Sequence, residues 1–174
     1  VVQAVIKNPA ISEEDKVRGF VESNGYVSIE AEHYTKAVDS ESIKWLRIPN
    51  LGRTHSGITP MPVTAKSQTP AANSPRLEYC LHLFSSGKVG VNVYLSPTQN
   101  FHNTIGLRYA ISFDDQTPQI INIHEKDTIP DWKYPPAWNQ AVGDNIKIMT
   151  CEHLLKEPGG HVLKFWMVDP GIVL

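Results

Sequence analysis

Apolar and polar residues alternate along several short stretches of this 174-residue chain. In Arg76–Phe84, Leu77, Tyr79, Leu81 and Leu83 share one parity; in Lys88–Leu95 it is Val89, Val91, Val93 and Leu95. Leu107, Tyr109, Ile111 and Phe113 repeat the pattern. A period of two puts one face of a strand against a core and the other toward water. Ser85-Ser86-Gly87 predicts a hairpin between the first two strands, and Asp114-Asp115-Gln116 turns the chain after the third. Shorter apolar runs predict strands at Val1–Ile6, Ile43–Ile48, Gln119–His124, Asn145–Cys151 and His161–Val168, and Ile172–Leu174 begins another. Gly25–Tyr34 reads the same way: Val27, Ile29, Ala31 and His33 fall on one face, Tyr26, Ser28, Glu30 and Glu32 on the other. Asn24-Gly25 gives the turn before it.

Between these lie two long connections. Leu51–Pro75 holds four prolines and reads as loop, with Ser56–Thr64 at most an irregular edge strand. Residues 125–145 read as a loop carrying Trp132, Tyr134 and Trp138. Ile11–Gly19 is charged and without alternation, a linker with one helical turn at most. The expected division is therefore residues 1–19, a strand and linker from a preceding region, and residues 20–174, one domain. Ending inside an apolar run, that domain is expected to lack the rest of its last strand.

Thirteen Pro, eleven Gly and about eight short strands argue for an all-β fold, a two-sheet antiparallel β-sandwich, with an up-and-down barrel as the structural alternative. The net charge of −2 gives no basis for a nucleic-acid partner. No run is long and apolar enough to span a membrane as a helix. Cys80 and Cys151 make no short metal or redox spacing and are expected as free thiols.

Two features carry candidate chemistry. Glu30 and Glu32 put two carboxylates on one side of the expected strand. Like charges so placed repel, so they are either a solvated pair or part of a calcium site, where carboxylate oxygens converge on a hard cation. Aromatic rings in polar loops form the second. Trp132 and Trp138, with Asn139, Phe101, His102, Asn103 and Arg53, match what a sugar needs: apolar faces for its C–H surfaces and donors for its hydroxyls. The competing reading is that both tryptophans anchor their loop to the body. Asp114-Asp115 offers paired carboxylates, but turns favour Asp for backbone hydrogen bonding alone. No nucleophile elbow, zinc-protease motif, phosphate loop or dinucleotide fingerprint is present.

The segments GYVSIEAEHYT, LGRTHSGIT, RLEYCLHLFSSGKVGVNVYLSPTQNF, GLRYAISFDDQTPQIINI and HVLKFWMVDPGIVL occur in this order. Together they resemble the C-terminal domain of glycoside hydrolase family 115, the xylan α-1,2-glucuronidases. The resemblance implies a jelly-roll β-sandwich, galactose-binding-domain-like and akin to carbohydrate-binding modules of families 6 and 35. It implies a non-catalytic accessory domain whose partners are the catalytic domains of the same polypeptide, xylan-type polysaccharide and a second copy in a homodimer. It also implies a calcium held by the acidic pair of Glu30-Ala31-Glu32, with a further Asp expected in a last strand beyond Leu174. A polysaccharide substrate implies a periplasmic or extracellular location. The rival readings are an autonomous carbohydrate-binding module and a purely structural domain.

Overall fold

The computed structural model describes residues 17–52, 54–127 and 135–174. The expected strand Val1–Ile6 and most of the expected linker lie outside them, as do Arg53 and Trp132. Ten strands follow in chain order: β1 Phe20–Val21, β2 Lys36–Val38, β3 Lys44–Pro49, β4 Ser56–Met61, β5 Arg76–Leu83, β6 Gly87–Leu95, β7 Arg108–Phe113, β8 Gln119–Asn122, β9 Lys147–Leu155 and β10 Gly159–Met167. One helix, α1, spans Pro136–Asp144.

Six strands form one sheet. Its order is β1-β5-β10-β7-β8, and β2 pairs with β5 on the edge that β1 also uses. Only β1 runs parallel to its neighbour. Two antiparallel ladders, β3-β4 and β6-β9, complete the strands. One core cluster draws Leu77 and Tyr79 from β5, Tyr109 and Ile111 from β7 and Phe165 from β10. Ile58 of β4 and Val93 and Leu95 of β6 meet them there. The core thus lies between the six-stranded sheet and both ladders, and the alternation in β5, β6 and β7 is what fills it.

The expected hairpin at Ser85-Ser86-Gly87 does not form: β5 pairs with β1, β2 and β10 and β6 with β9, so this turn carries the chain out of the six-stranded sheet into the β6-β9 ladder. Three further readings of the sequence are corrected. Gly25–Tyr34 is not a strand. Asn24 and Gly25 make the expected turn with positive φ, closed by the Ser23–Tyr26 bridge. Beyond it the chain pairs with nothing until a 3-10 turn at Ala31–His33. The parity nevertheless holds through Ala31: Val27, Ile29 and Ala31 pack on the core, while Tyr26 and Ser28 are exposed. What is missing is an edge to bond to.

Second, β4 is a buried strand rather than loop, with five of its six residues buried. Pro60 is tolerated there because of strand geometry. Alternate residues of a strand bond to opposite sides. Ile58 bonds to Leu174 and away from β3, so Pro60, two residues on, turns its nitrogen that way too and costs the β3 ladder no donor. Third, residues 136–144 are helical. Pro136 begins α1, where its missing N–H is no loss. Asn145 ends it in the left-handed region, its N–H reaching the carbonyls of Ala141 and Val142. β9 also runs on to Leu155, beyond the expected end at Cys151.

The polar segment after β4 is held by one carboxylate. Asp169, 5% exposed, accepts from the Arg108 N–H (2.9 Å), from Arg108 Nε (2.7 Å) and Nη2 (3.1 Å), and from Ser67 Oγ (2.6 Å). Burial opposes its ionisation, but the bonds from Arg108 and Ser67 outweigh it and hold the carboxyl below the usual range. Removing this partner would leave a partly buried guanidinium uncompensated. Asp169→Ala is expected to cost about 3 kcal/mol, measured as the shift in urea unfolding.

Candidate carbohydrate-contact loops and the acidic pair

Glu30 sits in extended backbone just before the 3-10 turn, and Glu32 lies within it. Thr54 Oγ1 donates to Glu30 (2.7 Å). Arg47 Nε of β3 donates to Glu32, whose side chain is 11% exposed. Desolvation acts to raise the Glu32 carboxyl, but the bonds from Arg47 and Ser56 and the charges of Arg47 and His33 prevail and lower it. Ser56 Oγ is buried beside Glu32 and makes no hydrogen bond of good geometry to another described residue. The oxygens on hand are therefore two carboxylates and two hydroxyls, with a guanidinium already on one carboxylate. Among the described residues no group of three or more His, Cys, Asp or Glu converges.

The candidate sugar contacts are spread over separate elements. Phe101 and His102 lie in the loop after β6, their rings 4.3 Å apart at the centroids. Phe101 is 50% exposed, yet its ring also rests where Gly171 has no side chain. His102 Nε2 is buried and has no hydrogen-bond partner among the described residues. Trp138 and Asn139 lie in the first turns of α1, Trp138 half-buried and Asn139 exposed. Among the described residues no aromatic contact or hydrogen bond joins Trp138 or Asn139 to Phe101 or His102.

Other polar groups explain themselves as structure. His124 accepts from the Leu107 N–H at Nδ1 (3.0 Å) and donates from Nε2 to the Thr98 carbonyl (2.8 Å), which clamps the loop after β6 to the end of β8. Asp114 accepts from the Val162 N–H (2.8 Å) and from His161 Nδ1 (2.7 Å), so this turn carboxylate is a backbone fastener. Both thiols are free and half-buried. Cys151 Sγ lies 3.6 Å from His153 Nε2, but burial pushes the thiol up to about 11 and the imidazole down. A nucleophile and its base need the opposite shifts.

The sequence reading did not find a groove of about 900 Å³. It lies between the Tyr26–Ala31 segment and the edge of β6, over a floor that includes Leu81, Leu83 and Phe113. Its signal was present in the alternation of both walls.

These features define an all-β domain whose described residues assemble no catalytic constellation. Residues 19–174 match the glycosyl hydrolase family 115 C-terminal domain, and the chain belongs to that family. No curated protein matches it. Among solved structures it is similar to BtGH115A, described as a novel family GH115 4-O-methyl-α-glucuronidase with specificity for decorated arabinogalactans. The TM-score is 0.56 at 18% identity, which speaks to the fold. The similarity covers 81% of this chain and 17% of that one.

His153 gives the stability of the domain a pH dependence. Its ring is 3% exposed and its affinity for a proton falls below the ordinary 6.5 through burial. A base with a depressed pKa contributes stability in full above its unfolded value. That stability is lost as pH falls through 6.5 toward the lower folded value. Thermal unfolding between pH 7.5 and 5 is expected to show this loss, and His153→Gln is expected to flatten that part of the profile.

Proposed function

We propose that this chain is the non-catalytic accessory domain of a family 115 α-glucuronidase acting on glucuronoxylan outside the cell or in the periplasm, and that it forms a two-layer jelly-roll sandwich. Family membership over residues 19–174 carries the reading. The chemistry agrees with it: the carboxylates able to pair for glycoside cleavage are engaged by Arg47, His161 and Arg108. The domain supports the assembly of the enzyme, including a homodimer. Trp132, Trp138, Asn139, Arg53 and His102 are the proposed substrate contacts. The half-exposed Phe101 ring beside the unpartnered His102 nitrogen favours a second reading, an autonomous carbohydrate-binding module.

Titration calorimetry with glucuronoxylan oligosaccharides separates these. The accessory reading expects weak or no heat from the chain alone and no turnover. Saturable binding would favour the module, and Trp138→Ala would then weaken it roughly fivefold, the loss of about 1 kcal/mol of ring contact. Turnover by the 174-residue chain would sink both readings.

Calcium belongs to the same proposal. Glu30, Glu32 and the hydroxyls of Thr54 and Ser56 supply hard oxygen ligands, and Arg47 must give way for them to converge. Arg47→Ala is therefore expected to enlarge the rise in melting temperature that calcium brings over chelator. No calcium-dependent shift in either protein would remove the metal from this site.

A further inference from the structure

The outer face of the β6-β9 ladder carries side chains that packing does not account for. Its rungs run without interruption from Gly87–Leu155 to Leu95–Lys147. Every second rung points away from the core. In order, these are Tyr94 with Ile148, Asn92 with Thr150, Gly90 with Glu152, and Lys88 with Leu154. All of them are exposed. Tyr94 and Ile148, 53% and 52% exposed, lie opposite each other and leave a large apolar surface bare at one end. Gly90 makes a trough in the middle. A glycine inside a strand marks a bulge or the close approach of a ligand or another backbone. The register passes through Gly90 without a bulge. Among the described residues, no heavy atom lies within 4 Å of where its side chain would begin.

The polar rungs are fixed in place. Thr150 Oγ1 donates to Asn92 Oδ1 (2.9 Å), which orients the amide and leaves its Nδ2 hydrogens to donate elsewhere. Lys88 Nζ and Glu152 Oε2 lie 3.8 Å apart, so these two charges offset each other. The far edge of β9 is fastened as well. Gln119 Nε2 donates to the Glu152 carbonyl (2.7 Å) and Gln116 Nε2 to the Leu154 carbonyl (2.9 Å). β9 is thus held from both sides, and a ligand would meet a rigid surface. The Tyr94–Ile148 rung lies at the end of the ladder where the chain leaves for the loop of Phe101 and His102. At that same end, α1 with Trp138 and Asn139 leads into β9.

We propose that this face is a platform for a neutral, extended sugar chain. One pyranose ring lays its C–H face on Tyr94. Its neighbour bonds through hydroxyls to Asn92 and Thr150, and the chain then passes over Gly90 toward Lys88 and Glu152. From Tyr94 to Lys88 the strand covers ~20 Å at ~3.3 Å per residue, so the ligand is an oligosaccharide segment rather than a single sugar. The offset charges suit the neutral main chain of a polysaccharide better than its acidic branches. A protein partner fits less well. Protein interfaces place apolar residues at the centre and polar ones at the rim, whereas here the polar rungs are central and the apolar residues lie at the ends. The inference rests on the reading of this chain as a domain of a xylan-degrading enzyme, and it extends the proposed loop contacts along the ladder.

The test is two-dimensional NMR of the 174-residue chain, titrated separately with a neutral xylo-oligosaccharide and a cello-oligosaccharide. Weak, saturable shifts are expected with the xylo-oligosaccharide at Gly90, Tyr94, Thr150 and the Asn92 side-chain amide. Tyr94→Ala is expected to weaken binding roughly fivefold, and Gly90→Ile to abolish it by filling the trough. Isoleucine favours strands and meets open space at this position, so Gly90→Ile keeps its fold, which an unlowered melting temperature verifies. Saturable shifts on the ladder with the cello-oligosaccharide alone would support the platform and remove the xylan reading beneath it. Shifts confined to Phe101, His102 and Trp138 and unchanged in Gly90→Ile would place the sugar on the loops and overturn the platform. Absence of saturable shifts with either sugar would also overturn it. Shifts on this face that follow protein concentration without sugar would assign it to a second copy and overturn the sugar ligand.

Discussion

The two ladders are linked by the three residues Ile172–Leu174. Leu174 bonds to Ile58 of β4, Thr59 Oγ1 donates to the Ile172 carbonyl (2.9 Å), and Val173 accepts from Ser96 at the end of β6. Without them, β3-β4 and β6-β9 would meet only through side chains in the core. The requirement behind this link is general: a buried backbone donor or acceptor must find a partner. That requirement explains where this fold is tight. Around Leu174 the inward residues of β4 and β6 are almost fully buried, and the core is continuous from Ile58 to Phe165.

A second fastening works at the opposite edge of the core. Asp169 follows β10 directly and returns its carboxylate to Arg108 at the start of β7, while its backbone N–H donates to the Arg108 carbonyl (2.8 Å). Ser67, and Gln68 through the Val168 carbonyl, join from the long polar segment after β4. An irregular segment of that length keeps its shape by bonding to a rigid neighbour, and here the neighbour is the best-buried carboxylate of the described residues. The same short stretch of chain, residues 167–174, thereby holds both the loop and the ladders. Stability and any site built on the loops are coupled through it.

The strands that bury one face were legible in the sequence because period two is a direct image of that burial. β6 follows its alternation residue by residue and β5 departs from it only at the buried His82, whereas β7 buries both faces, with Ala110 and Ser112 as deep as Tyr109 and Ile111. What escaped the sequence were features decided by partners. Pro60 argued against a strand until the side on which its nitrogen points was known. α1 carries proper boundary residues, Pro136 and Asn145, but a nine-residue helix containing Gly143 has too little pattern between them to outweigh the surrounding loop. In the candidate sites, residue types were legible and relations were not. Nothing in the spacing of Glu32 and Arg47 along the chain announces that they pair, since β3 brings Arg47 back across fifteen residues. Arg53 and Trp132 lie outside the described residues.

Gly25–Ala31 shows the difference between pattern and ladder most directly. Its inward parity is correct, with Val27, Ile29 and Ala31 on the core, and its chain is nonetheless not a strand. Side-chain burial and backbone pairing are separate conditions, and alternation reports only the first. A segment that satisfies the first and lacks the second is poised to pair as soon as an edge is offered. Val89 and Val91 across the groove meet both conditions, half-buried and paired with His153 and Cys151 of β9. The two walls share an apolar floor of Leu81, Leu83 and Phe113.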